Sequence, residues 1–255
     1  MPTSNRRPAR VRLFNGEFDA VTLDECVKQV FADIDQGRTG WLATVNVAIL
    51  MMMRDSPQLQ SFVDRASWTV ADGQPLIWAS SWFNRRLPER VTGVDLVDCL
   101  CEQALARNEG VYCLGATQEV LNGMVAKLKE QHPGLVVNGS DGYFSFEQFP
   151  ERAQQVARTG AKILFVGMGV PRQEKFIDEQ WATLGVNLAV GVGGSFDVMA
   201  GLRRRAPLWM QKVGLEWVYR LIQEPGRLWK RYLVTGMQFG LLSMRALFLP
   251  SYRDR

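Results

Sequence analysis

Two stretches of the chain share one design, and it restricts the fold more than anything else in the sequence. Ala161 to Val166 and Val186 to Val190 are apolar runs too short for a helix. Each meets glycines, Gly167-Met168-Gly169 and Gly191-Val192-Gly193-Gly194, and then the start of an amphipathic segment. A short, continuously apolar run reads as a strand buried on both faces. A glycine turn leading from it into a helix brings backbone N–H groups to an anionic ligand. The pattern predicts a parallel sheet that meets a nucleotide phosphate at its strand ends.

The rest of the chain agrees with that expectation. A short strand is predicted near Val11 to Phe14, and Thr22 caps a helix with Leu23, Val27, Val30, Phe31 and Ile34 on one side. Strands follow at Trp41 to Val45, Trp68 to Ala71, Val111 to Leu114 and Leu135 to Val137. Helices are predicted through Met53, over Pro75 to Phe83 and Val94 to Ala106, from a Thr117 cap to Gln131, and over Glu147 to Arg158. Alternation of this kind implies an α/β fold: a doubly wound, largely parallel, Rossmann-like sheet with helices on both faces. From Pro207 onward no strand pattern remains. Trp209 to Glu224 and Arg227 to Leu249 read as two helices separated by Pro225-Gly226. The expected division is an α/β body over residues 1–204 and a helical appendage over 205–255.

Charge separates the same two parts. Residues 1–200 carry 19 Lys/Arg against 23 Asp/Glu, whereas residues 201–255 carry 11 against 3. A basic tail rich in Trp, Leu, Phe and Met suits nucleic acid, an anionic bilayer surface or a diphosphate-bearing lipid. Its aromatics recur at helical apolar positions rather than in a strand array, which argues against nucleic acid. Tyr232 to Leu249 has nearly spanning length but contains Gly236, Gln238, Gly240 and Arg245, so a helix lying on a membrane surface is expected. Met1 to Arg12 is basic and leads into no apolar run, so no secretory leader is expected. Cys26, Cys99, Cys101 and Cys113 lack metal or redox spacing and sit among apolar neighbours, as reduced core residues of a cytosolic protein would.

The polar residues that merit attention sit where strands end. Asp72-Gly73 closes one predicted strand, and Thr44 and Asn46 close its neighbour. The Asp72 carboxylate either emerges at a ligand crevice or simply makes a turn. Asp197, just inside a helix after the 191–194 glycines, either accepts from a nucleotide or satisfies the helix dipole. Pro171-Arg172-Gln173-Glu174 places three long polar side chains at a helix mouth, where plain solvation explains them equally well. His132 is the one histidine and falls at a helix end, so any general base is expected to be a carboxylate. Asp33-Ile34-Asp35 has a metal-binding spacing. Ile34 belongs to a buried stripe, however, which turns both aspartates toward water, and no metal site is expected there. In the tail, Arg220, Arg227, Lys230 and Arg231 interleave with Trp217, Tyr219, Trp229 and Tyr232, which suits either phosphate at a bilayer interface or a solvated basic helix.

Six motifs in order, from about residue 12 to 235, resemble the WecG/TagA/CpsF glycosyltransferases: Thr44-Val45-Asn46, Ala71-Asp72-Gly73, Arg90-Val91-Thr92-Gly93-Val94-Asp95, Gly167 to Glu174, Gly191 to Asp197, and Gly214 to Leu221 through Glu224-Pro225. The resemblance implies a bacterial enzyme that moves a hexose from a UDP-sugar to a monosaccharide on a polyprenyl diphosphate. It further implies inversion at the anomeric carbon without metal or other cofactor. It makes Asp72 the base, with Thr44 and Asn46 beside it and Arg90 and Gln173 in the crevice. Gly169, Gly191, Gly193, Gly194, Phe196 and Asp197 become the UDP site. Arg220, Arg227 and the Lys230-Arg231 pair become acceptor-binding cations on an appendage held at the inner face of the cell membrane. Glucose is the favoured donor sugar, as in a β-1,4-glucosyltransferase of exopolysaccharide or other cell-surface polysaccharide synthesis. N-acetylmannosamine or its uronic acid is the alternative, as is a non-catalytic UDP-binding scaffold. Oligomeric state is left open.

Overall fold

The computed structural model describes residues 7–253, apart from the side chains of Arg227 and Pro250. The part of the basic N-terminal stretch before residue 7 thus lies outside the described residues. An antiparallel hairpin, β1 (Arg10–Leu13) and β2 (Gly16–Asp19), precedes α1 (Leu23–Asp35). Then come β3 (Gly40–Val45), α2 (Val47–Asp55), α3 (Pro57–Asp64), β4 (Trp68–Ala71), α4 (Gln74–Trp82), α5 (Gly93–Ala106), β5 (Val111–Gly115), α6 (Gln118–Gln131), β6 (Val137–Ser140) and α7 (Phe149–Arg158). The body ends with β7 (Ile163–Gly167), α8 (Arg172–Leu184), β8 (Leu188–Gly191) and α9 (Ser195–Met199). The remaining helices are α10 (Leu208–Lys212), α11 (Glu216–Gln223) and α12 (Pro225–Phe248).

Six strands pair in the order β4-β3-β8-β7-β5-β6, every pairing parallel. Alternate side chains of each strand enter different cores, which is why these runs are apolar throughout. Trp41, Ala43 and Val45 of β3 join the layer under α2, α3, α7 and α8, whereas Leu42 joins the layer under α1, α5, α6 and α9. Leu164 and Val166 of β7 divide from Ile163 and Phe165 in the same way. The four cysteines are free thiols; Cys26, Cys101 and Cys113 are buried and Cys99 is partly so.

The helix starts follow local chemistry. Thr22 and Glu25 form a reciprocal capping box on α1, and Thr117 accepts from the Val120 N–H at the start of α6. Ser56 caps α3 with Pro57 in its first turn, a helix the apolar pattern does not reveal. The strand expected at Leu135 to Val137 is shifted to Val137–Ser140. The Leu135 N–H closes a turn onto the His132 carbonyl at 3.1 Å, and this edge strand carries polar Asn138 and Ser140. The helix expected over Trp209 to Glu224 is broken at Gly214, whose φ is +75° and where a Cβ would fall 2.5 Å from Gln74. Pro225 opens α12 rather than separating it from α11.

The hairpin closes the free edge of the sheet at β4. Asp19 is buried, and its carboxylate accepts from the Thr69 N–H at 2.8 Å and from Arg10 Nε at 3.2 Å. On the other side of the hairpin, the Phe14 ring meets Phe83 and Phe239 edge-on, each at 5.6 Å, which anchors both α4 and α12. Phe239, Leu242 and Ala246 turn one face of α12 into the core beside α2, while the opposite face is exposed. Among the described residues no helix is long and apolar enough to cross a membrane. Asp19→Ala is expected to destabilise the protein by about 2 kcal/mol, because a buried Thr69 N–H loses its acceptor. Urea unfolding measures this, and an unchanged midpoint would remove the hairpin as the guard of the β4 edge.

Candidate active site

All six strands run the same way, so their C-terminal ends make one rim, and the loops leaving it diverge. β3 and β7 feed α2 and α8 on the first face, whereas their neighbours β8 and β5 feed α9 and α6 on the second. Diverging loops between adjacent strands open a crevice, the usual ligand position in such sheets. Asp72 directly follows β4, Thr44 and Asn46 close β3, Gly191 ends β8 and Gly167 ends β7. The residues that sequence singled out therefore share one rim. Two strand spacings, roughly 10 Å across the sheet, separate the Asp72 strand from the Gly191 strand.

Local bonds hold these groups. The Thr44 hydroxyl donates to the Gly191 carbonyl at 2.9 Å, tying β3 to β8. The Asp72 N–H donates to the Val45 carbonyl at 2.8 Å, and the Val91 N–H donates to the Ala71 carbonyl at 3.0 Å, which brings Arg90 to the end of β4. Asn46 caps α2 by accepting from the Ile49 N–H at 3.1 Å, so its amide N–H groups are what it has left to offer a ligand.

The Asp72 carboxyl is raised above its ordinary value. Burial is the main cause; Arg220 and Arg90 pull it back down, while Glu216 and Asp95 add to the rise. Arg90 itself donates to Glu216 at 2.7 Å, with both side chains largely buried. Arg205 forks onto the Asp95 carboxylate at 2.5 and 2.6 Å. Burial would raise Asp95, but the hydrogen bonds from Arg205 and Thr92 outweigh it and hold this carboxyl below its ordinary value. Asp72 is thus a carboxylate of enhanced basicity surrounded by fixed cations.

A second arrangement lies across the crevice. Gln173 and Glu174 are both buried at the start of α8. Gln173 Nε2 donates to Glu174 Oε1 at 2.8 Å, and Gln173 Oε1 accepts from the Gly193 N–H at 3.1 Å. Gly191 makes room for this, since a Cβ there would fall 2.6 Å from Gln173 Nε2. The Gly193 N–H expected at a phosphate is therefore already committed to Gln173. Burial pushes Glu174 up to about 7, against hydrogen bonds from Gln173 and its own backbone and the charge of Arg231. Its Oε2 is buried without a hydrogen-bond partner among the described residues.

The remaining expectations divide. Phe196 is fully buried with its ring against Gly167, so it supports the end of β7 from the core rather than lining the crevice. Asp197 is half-buried and lies 3.7 Å from Arg203, which also meets Glu224. Gly169 turns with φ +79° in open space, and Gly194 is exposed. Of the tail cations, Arg220 acts on Asp72 and Arg231 on Glu174. Lys230 is exposed, and the Arg227 side chain lies outside the described residues. His132 sits 2.9 Å from Asp98 beyond α6, away from the rim. Asp33 does not face water as expected: it accepts from the Trp68 indole N–H at 3.0 Å and pairs with Arg38, because that buried N–H needs an acceptor. Asp35 is exposed and pairs with Arg107. Among the described residues no group of three or more His, Cys, Asp or Glu side chains is placed to hold a metal ion.

A sequence model of the glycosyl transferase WecG/TagA/CpsF family matches residues 11–252, nearly the whole chain. The chain belongs to the WecG/TagA/CpsF glycosyltransferase family. It is also similar to an N-acetylglucosaminyldiphosphoundecaprenol N-acetyl-beta-D-mannosaminyltransferase of Bacillus subtilis (strain 168), 34% identical over 201 residues, which is 78% of this chain and 77% of the relative. The protein of the same description from Bacillus spizizenii (strain ATCC 23059 / NRRL B-14472 / W23) is 32% identical over the same shares.

In this family member, the sequence placed Glu174 at a helix mouth with a ligand site and plain solvation both open, and it gave Asp95, Arg205 and Glu216 no role of their own. A charged residue buried beside a glycine turn shows no periodicity of its own, and the Arg205–Asp95 and Arg90–Glu216 pairs join residues 110 and 126 positions apart. Glu174 also carries a linkage signature. Between its ordinary value of 4.5 and about 7, the folded glycosyltransferase holds a proton that the unfolded chain has lost. Stability from this group is thus full below that window, falls by roughly 3 kcal/mol as pH rises through it, and levels off above. Glu174→Gln is expected to flatten that segment of the pH–stability curve. Urea unfolding at pH 5 and pH 8 measures the slope, and equal slopes in variant and wild type would contradict a protonated Glu174.

Proposed function

We propose that this enzyme transfers an N-acetylmannosamine-type sugar from its UDP derivative to the monosaccharide of a polyprenyl-diphosphate-linked acceptor. The acceptor hydroxyl attacks C1, and its proton passes to Asp72. The bond from C1 to the diphosphate oxygen breaks with its electron pair on the leaving UDP. A β-linked product from an α-linked UDP-sugar requires inversion, which one in-line displacement with one base achieves. The observation that carries this reading is Asp72 itself: a burial-raised carboxylate at the end of β4, faced by Arg90 and Arg220, on the rim that also holds the 191–194 glycine turn.

The activity for which both Bacillus relatives are named favours the N-acetylmannosamine donor over the glucose expected from the motifs. In this reading Arg90 and Arg220 stabilise the growing charge of the diphosphate, and the proposed reaction uses no metal or other cofactor. Residues 1–204 form the UDP-sugar-binding body in this reading. Residues 205–255 supply acceptor-binding cations and meet the inner membrane surface through exposed Trp209, Trp217, Trp229 and the outer face of α12.

Asp72→Asn is expected to lower transfer by about 10²- to 10⁴-fold while leaving UDP affinity within about threefold. In the wild type, kcat/KM is expected to fall as pH drops through the raised Asp72 value. Transfer of radiolabelled sugar from a panel of UDP-sugars to lipid-linked N-acetylglucosamine and glucose tests both points. Wild-type turnover by the variant would remove Asp72 as the base, and a preference for UDP-glucose would overturn the donor assignment.

A further inference from the structure

α4 begins two residues after Asp72, and it is unusual in what it leaves outside. Leu76, Ala79 and Ser80 face the core and Phe83 closes the helix from within, yet Trp78 and Trp82, one turn apart, are 39% and 53% exposed. Two indoles on one face of a nine-residue helix are a large apolar area to leave in water. They stand about 6 and 12 Å along the axis from the first residue of the helix, whose N-terminal end adjoins the Asp72 carboxylate.

The surroundings give this face a direction. At the crevice end, a Cβ on Gly214 would fall 2.9 Å from Trp78 Cζ2, so this indole walls the turn that leads into α11. α11 carries Glu216, paired with Arg90, and Arg220, which acts on Asp72. At the other end, Phe83 and Phe239 meet across Phe14, making α4 a neighbour of α12. The outer face of α12 presents Leu233, Met237, Leu241, Met244 and Phe248 at steps of four, four, three and four residues, all exposed. Exposed indoles on α4 therefore stand beside the turn that carries α11 and its arginine, and α12, packed against the end of α4 through the core, presents a further exposed apolar stripe.

We propose that Trp78 and Trp82 are a track for the first isoprene units of the acceptor's polyprenyl chain. The inference rests on the acceptor class given above and adds the residues that read its lipid. The order of groups on the protein matches the order of groups in such an acceptor: sugar hydroxyl at Asp72, diphosphate beside Arg90 and Arg220, hydrocarbon beyond. Flat, rigid indole faces bury branched hydrocarbon at low entropic cost, and one binding determinant outside the reacting centre lets the enzyme distinguish chain lengths.

The test uses the full-length protein in detergent with two acceptors. They are N-acetylglucosamine diphosphate carried on a long polyprenol and the same head group on a short alkyl chain. Trp82→Ala and Trp82→Gln are expected to raise KM for the long-chain acceptor about tenfold. Turnover of the short-chain acceptor and KM for the UDP-sugar should stay at wild-type values. Equal losses on both acceptors, or none on either, would overturn the track. So would a loss of phosphatidylglycerol vesicle binding with unchanged chain-length discrimination, which would make the face a bilayer anchor. A wild-type dimer that Trp82→Ala dissociates, with discrimination intact, would assign the face to a second copy. If the wild type uses neither acceptor, the proposed function itself falls; if it uses both and the variants match it, only the track does.

Discussion

The hydrogen bond from the Thr44 hydroxyl to the Gly191 carbonyl marks the constraint on which the rest of the structure depends. It joins the ends of β3 and β8, the two strands whose following loops part to opposite faces of the sheet. Parallel pairing with β4 on the other side of β3 sets Ala71 level with Val45, and Asp72 comes next. Asp72 and the glycine turn are therefore positioned by strand ends, whereas Arg90 sits in the segment between α4 and α5 and is held by Glu216. Asp72, the glycine turn and the Gln173–Glu174 pair each sit within a few residues of a strand end buried in two cores, and packing at that density resists small displacements.

Charge is distributed across the crevice with the same economy. Asp72 lies among Arg90, Arg205 and Arg220, yet Arg205 is forked onto Asp95 and Arg90 is held by Glu216. Paired cations keep their position without collapsing onto Asp72, which stays more basic than an ordinary aspartate because burial outweighs their pull. On the far side, burial raises Glu174 to about 7 against the charge of Arg231. The two sides thus meet the cost of buried carboxylates in different ways, by fixed cations around Asp72 and by a raised carboxyl value beneath the 191–194 glycine turn.

The sheet was legible because a strand buried on both faces must be apolar at every position, and because Thr22 and Thr117 announce their helices chemically. Thr44, Asp72 and Gly191 were legible for a related reason: once the strands are placed, their ends are too. What escaped depended on partners distant in sequence. β6 is an edge strand with polar residues, α3 has only a Ser-Pro signal, and the break at Gly214 is dictated by Gln74 and Trp78. Phe196 stood in a glycine-rich motif and read as a ligand contact, but helix geometry turns its ring under Gly167 and into the core. The committed Gly193 N–H was equally invisible, since its acceptor comes from another strand–helix unit.

Gly214 has a consequence that reaches beyond its own turn. Its left-handed backbone and its bare α-carbon against Gln74 and Trp78 let the start of α11 nest on α4. A methyl group at this point would act as a wedge at the fulcrum of a lever. The arm is α11, and a small tilt at its root is magnified at Arg220, one turn further along. An atom too many at Gly214 would thus retune the field felt by Asp72.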